Sequence, residues 1–290
     1  LPGALDLQVA CQLEKSEEFA PLARHYLDIE LVPWKLTGGR GQLNLTYHRR
    51  EKQTRISSRF TLEDFASSGV GIRRLDGTVE TTSGRTRGEF TATAPQLNTT
   101  AVLASRPGET RIDFHLAQGE MKALGKILAL GLEASGPIQG DFTYLHGRQP
   151  LPLITGKFAS PGGTISGFYL NRLTGSLTTD TKVVRVADLA FAYHQGTGRG
   201  ELEIDFGRQS FRIDAGIHQI DLHDLHPEVR GRMDLVARSA GRFNQDPLSV
   251  GIQLENVSYY RDRPFSAKAT ADFLTDFNDF TLTGRGEIIN

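Results

Sequence analysis

The stretch Thr197-Gly198-Arg199-Gly200-Glu201-Leu202-Glu203-Ile204-Asp205-Phe206 decides the fold. Side chains alternate between the two faces of a β-strand. Gly198, Gly200, Leu202, Ile204 and Phe206 therefore share one face, and Arg199, Glu201, Glu203 and Asp205 the other. The same sorting places Phe280, Leu282, Gly284, Gly286 and Ile288 against Arg285 and Glu287. It also places Gly39, Gly41, Leu43, Leu45 and Tyr47 against Arg40, Gln42, Asn44 and Thr46. Further copies centre on Gly88, Gly140 and Gly231. Glycine falls on the apolar side each time. A side chain on the concave face of a bent sheet collides with its neighbours, and glycine removes the collision. The pattern predicts that Gly41, Gly88, Gly140, Gly200, Gly231 and Gly286 form a crease that folds a sheet into a trough, apolar inside and charged outside. The plainer alternative is turn and bulge glycines in a β-sandwich.

Alternation extends well beyond the glycines. Ile112, Phe114 and Leu116 alternate with Arg111, Asp113 and His115, and Val250, Ile252 and Leu254 with Gly251, Gln253 and Glu255. Such runs read as strands with one apolar and one wet face. Two segments, Glu14 to Leu27 and Glu120 to Leu130, have the spacing of short amphipathic helices, the second grouping Leu124, Ile127 and Leu128. The predicted fold class is all-β: an elongated, curved, mostly sequentially paired antiparallel sheet forming an open apolar groove, with one or two short helices. Roughly 18–25 strands at about 4.8 Å spacing would extend on the order of 100 Å.

A coarser repeat overlies the strands. Ile72-Arg73-Arg74-Leu75-Asp76-Gly77-Thr78-Val79 resembles Leu170-Asn171-Arg172-Leu173-Thr174-Gly175-Ser176-Leu177, 98 residues later. Each is followed by an Arg-Gly-Glu-apolar element, at Arg87–Phe90 and Arg199–Leu202. The chain is read as one continuous segment of about three loose repeats, approximately 14–118, 119–218 and 219–290, with no Pro/Ser linker or charge block between them.

Composition narrows the function classes. The 290 residues carry a formal net charge of -1, which gives no electrostatic case for nucleic acid or an anionic membrane surface. Hydrophobic content of 38% with 31 glycines suits many short strands and turns better than a deep interior. Cys11 is the only cysteine, so an internal disulfide and a multi-cysteine zinc site are excluded. The best apolar run, Ala123 to Leu132, is interrupted by Lys126 and falls short of the roughly 20 residues that span a bilayer. The pattern is cut at both ends, which predicts a piece of a longer protein.

The segment Ser135-Gly136-Pro137-Ile138-Gln139-Gly140-Asp141-Phe142-Thr143-Tyr144 resembles the strand unit of the TamB family, in the AsmA-like superfamily of bridge-like lipid transfer proteins. So does Ile220-Asp221-Leu222-His223-Asp224-Leu225, running through Val229–Leu235 to Asp246-Pro247-Leu248, although Ser249-Val250 stands where a glycine is usual. The resemblance covers most of the chain, strongest from about Leu116 onward. It implies a periplasmic segment of an inner-membrane-anchored envelope protein of a diderm bacterium, with an open β-groove, or β-taco. It also implies phospholipid as cargo, a role in outer-membrane biogenesis or protein secretion, and a TamA-like outer-membrane barrel as partner.

Residues with chemistry give no competing site. No Gly-x-Ser-x-Gly elbow and no phosphate loop ending in Gly-Lys-Ser/Thr occurs. His218, Asp221, His223, Asp224 and His226 are ligand types close together, but His218 and His223 have opposite strand parity, so no metal site is read there. The plain reading buries Ile220 and Leu222 and solvates their polar neighbours. Neither catalytic residues nor a cofactor are expected. The leading expectation is a lipid conduit in which acyl chains contact Leu43, Leu45, Phe142, Tyr144, Leu202, Ile204, Phe206, Met233, Leu235, Phe280, Leu282 and Ile288. Shielding tails from water is worth about 0.8 kcal/mol per CH₂. An acidic or basic residue at Ile204 or Leu282 is expected to block passage. The alternatives are a scaffold that templates outer-membrane β-barrels and autotransporters at a sheet edge, and a closed sandwich or solenoid with an adhesion or carbohydrate role.

Overall fold

The computed structural model describes residues 5–19, 21, 36–50, 53–127, 133–147, 152–165, 168–180, 182–260, 263–275 and 280–289; for 127, 168, 274–275 and 280–289 it describes the backbone path alone. The fold is all-β, with antiparallel strands paired to their sequence neighbours and two short α-helices among the described residues. Contacts group the chain into two compact units, Leu1–Gly131 with Ile138–Gly156, and Leu132–Pro137 with Lys157–Asn290.

The first unit runs β1 (Leu5–Leu13), β2 (Leu36–Arg50), β3 (Gln53–Ser67), β4 (Val70–Thr82), β5 (Arg85–Ala94), β6 (Leu97–Arg106) and β7 (Glu109–Glu120), each beside the next, with β9 (Pro137–His146) against β7. Helix α1 (Met121–Ile127) follows β7 and reaches back to β4, with Leu124 buried. It realises the predicted helix after Glu120; Leu128 to Leu130 lie outside the described residues. Of the segment Glu14 to Leu27, the described part is mainly a 3-10 turn at Ser16–Glu18, and residues 22–27 lie outside the description.

Antiparallel register turns strand parity into rows across the sheet. One row is Leu13–Gly41–Leu62–Leu75–Ala92–Thr99–Leu116, and the next is Cys11–Leu43–Phe60–Gly77–Phe90–Ala101–Phe114. A third is Val9–Leu45–Ser58–Val79–Gly88–Leu103–Ile112. These rows form one hydrophobic core, in which Leu62 has no exposed surface. A single flat sheet face cannot be dried this way. The cover comes from curvature and from the turn after β1, whose Phe19 ring lies 4.4 Å from that of Phe60. The opposite face carries ion pairs such as Arg40–Glu63, Arg55–Glu80 and Arg74–Glu63. Pairs this exposed stabilise little, but they keep that face wet and favour the observed register.

The second unit runs from Lys157 of β10 (Leu153–Ile165) through β11 (Phe168–Thr179), β12 (Val183–Tyr193), β13 (Gly196–Asp205), β14 (Ser210–Asp221), β15 (Val229–Arg242), β16 (Leu248–Tyr259), β17 (Phe265–Thr275) and β18 (Phe280–Ile289). The two-residue β8 (Ala134–Ser135) pairs with the end of β10, and α2 (Leu222–Leu225) is capped by the Asp221 carboxylate, which accepts from His223 N–H at 2.9 Å. Its rows include Gly200–Ala215–Ala237–Val250–Ala271–Gly284 and Gly198–Ile217–Leu235–Ile252–Ala269–Gly286. A further row is Ile220–Met233–Leu254–Ala267–Ile288.

Both units use the same packing device. Phe60 faces Gly77 across β3 and β4, where a Cβ would overlap its ring; 98 residues later, a Cβ on Gly175 would lie 2.9 Å from Phe158 Cζ. An aromatic ring thus occupies the space a side chain would take on the neighbouring strand. The sequence repeat around Gly77 and Gly175 is the trace of this arrangement.

Candidate functional site: an apolar sheet face

Parity sorted most of the residues as expected, but the six glycines do not form one crease. Gly41 lies in the first row of its unit and Gly88 in the third, three strands away. Gly140 sits half-buried in β9 between Ile138 and Phe142. Gly231 is not in regular alternation at all: with φ +125 it marks a β-bulge between Arg230 and Arg232. Small residues do line up in the second unit, in the row from Gly200 to Gly284, where the interior positions are mostly alanine rather than glycine. Alanine at those positions leaves no mark that distinguishes it from any other apolar residue in an alternating run.

The predicted lining residues divide by environment. Leu43 and Phe142 are buried; they belong to one layer, Leu43 facing Phe60 and Phe142 stacking on Phe114 at 5.3 Å. Ile204 has no exposed surface and sits in register between Val184 and Phe211. These three are packed core, so an acidic residue at Ile204 is a test of folding before it is a test of passage. Phe206 lies beyond the end of β13 and is 42% exposed, in the turn rather than on the face. Leu45, Tyr144, Leu202, Met233 and Leu235 are half-buried. Phe280, Leu282 and Ile288 lie in β18 opposite Thr275, Phe273 and Ala267, and their side chains fall outside the description.

The half-buried set is where the face stays accessible. Ile213, Ile217, Leu235, Ile252 and Leu254 all keep part of their surface in contact with solvent across β14 to β16. The other opening is β1: along its inward-facing positions exposure falls from 54% at Leu5 through 51% at Leu7 and 38% at Val9 to 5% at Leu13. The alternation Leu5-Asp6-Leu7-Gln8-Val9 carried that signal in sequence, unaccompanied by a glycine.

The histidine-carboxylate segment is taken up by local structure. His218 Nδ1 lies 3.0 Å from Asp234 Oδ2, Asp221 caps α2, and His226 Nδ1 accepts from Glu228 N–H. Ile220 and Leu222 are buried beside them. Among the described residues, no group of three His, Cys, Asp or Glu side chains converges as a metal-binding set. No helix among them is long and apolar enough to cross a membrane.

Compared with models of protein families, with curated proteins and with solved structures, the chain matches none.

Proposed function

We propose that the chain is a segment of a lipid-bearing groove, non-enzymatic, that shields phospholipid acyl chains on its apolar face while head groups stay in water. The observation that carries this reading is the half-buried face of β14–β16, where Ile217, Leu235 and Ile252 stand in one row. Apolar surface left wet is unfavourable by roughly 25 cal/mol per Å², and acyl chains laid across such rows remove that cost without any specific chemistry. The resemblance of Ser135–Tyr144 and Ile220–Leu248 to the TamB family supports the same cargo and a periplasmic setting between inner and outer membranes. A TamA-like barrel partner rests on that resemblance alone.

The reading is tested by photo-crosslinking in cells from Leu235 and Ile252, with Gln253 on the opposite face as control. Phospholipid captured from the first two and not from the third is the expected result. Capture of unfolded barrel polypeptide instead of lipid would favour the scaffold function, and absence of lipid at both positions would overturn the conduit.

A further inference from the structure

One end of the first unit's inner face changes chemistry in a fixed order. Its first two rows are apolar apart from Thr99, and largely buried. In the third, Ser58 interrupts the hydrocarbon, its Oγ buried without a hydrogen-bond partner. The fourth, Leu7–Tyr47–Ile56–Thr81–Thr86–Ser105–Thr110, turns to hydroxyls. Thr81 and Thr86 pair there at 2.9 Å, and Ser105 and Thr110 at 3.0 Å. At the rim Arg49 faces Leu5 on one side and Thr54 on the other.

Arg49 shares the parity of Gly41, Leu43, Leu45 and Tyr47, so the cation belongs to the apolar face. The nearest acidic residue on β1, Asp6, has the opposite parity and is engaged by His48 at 2.7 Å. Among the described residues no carboxylate forms an ion pair with Arg49. The plain reading is a strand-end arginine that reaches water past its own methylenes. That reading explains one exposed cation. It leaves unexplained the orphaned Ser58 hydroxyl and the opening of β1 on the same side.

We propose that this rim holds one anionic lipid, its head group on Arg49 and its chain over Leu7 and Val9. The inference rests on the lipid-groove function and narrows it to a head-group charge and an orientation. A guanidinium pairs with a phosphate oxygen pair through two parallel N–H donors. From the level of Arg49 to that of Leu45 is four residues, about 13 Å, room for a phosphate, the glycerol esters and the first methylenes. The glycerol esters then fall at the level of Leu7 and Tyr47, and the chain replaces water over the exposed part of β1.

Binding of dioctanoyl phosphatidylglycerol to the whole chain, measured by native mass spectrometry and titration, tests this against uncharged dioctanoylglycerol. Arg49→Gln is expected to weaken the phospholipid about ten-fold and to leave dioctanoylglycerol unchanged. Leu7→Asp is expected to weaken both. Unchanged phospholipid affinity in Arg49→Gln overturns the proposal, as does binding of neither lipid by the unaltered chain. Displacement of the phospholipid by inorganic phosphate at equal concentration also overturns it, because the rim is then an anion site without a lipid. Arg49 is exposed, so an unchanged melting curve separates lost binding from lost fold. Lipid capture at Leu235 with no effect of Arg49→Gln removes the rim site and leaves the groove standing. Loss of capture at Leu235 removes the groove.

Discussion

At Gly200 a Cβ would lie 2.6 Å from Ala215 Cα and 2.7 Å from Asp214 O, both on the partner strand. Backbone cannot yield as a side-chain tip can, so the glycine is a packing requirement. Gly71 in β4 has nothing within 4 Å of the same position. Gly200→Val is expected to lower unfolding free energy by about 2–3 kcal/mol, whereas Gly71→Ala stays within about 1 kcal/mol of the parent; denaturant titration checks both. The importance of Gly200 was legible from its place in an alternating run, because parity alone puts it on the crowded face. That of Gly77 was not. Its role depends on Phe60, a residue in another strand, and only register brings the ring over it.

Bulges are the curvature device that alternation concealed. Asp188, Gln219 and Asn256 all have positive φ inside strands, and each falls at a break in the pairing register. A bulge inserts one residue, bends its strand and increases local twist. Apolar spacings of three betray two of them in sequence: Ile217 to Ile220 and Leu254 to Val257 return to the buried face out of parity. The bulge in β14 is held from β15, where Asp234 accepts from Gln219 N–H at 2.7 Å and contacts His218. Desolvation is the largest single influence on the Asp234 carboxyl and pushes its pKa up, yet the bonds from His218 and Gln219 together hold it below the ordinary 3.8. A carboxyl depressed in the folded state contributes stability above its unfolded pKa and loses it as pH falls through the folded value. Asp234→Asn should therefore cost about 1 kcal/mol at neutral pH. Its unfolding curve should converge on the parent's below pH 3.8, which acid titrations of both proteins will measure.

For the chain as a whole, the two units differ in how far the apolar face is closed. β3 to β6 of the first unit hold Phe60, Leu62, Val79 and Leu103 at 2% exposure or less, while β14 to β16 of the second leave their central rows half open. Native-state hydrogen exchange should follow this contrast, with slow amides in β3–β5 and faster ones in β15–β17; added phospholipid should slow the second set and leave the first unchanged. Uniform protection would remove the distinction. The all-β class, the sorting of apolar from charged residues and the repeat about Gly77 and Gly175 were determined by sequence alone, because strand geometry fixes side-chain direction within one element. Which apolar residues became core and which remained accessible was decided by tertiary structure. Leu43 and Leu45 share a strand and a parity, yet Leu43 is buried and Leu45 only half so. The difference comes from Phe19 and Phe60, which close one row and not the next. Burial depends on what crosses over a face, and alternation along a strand records only the face.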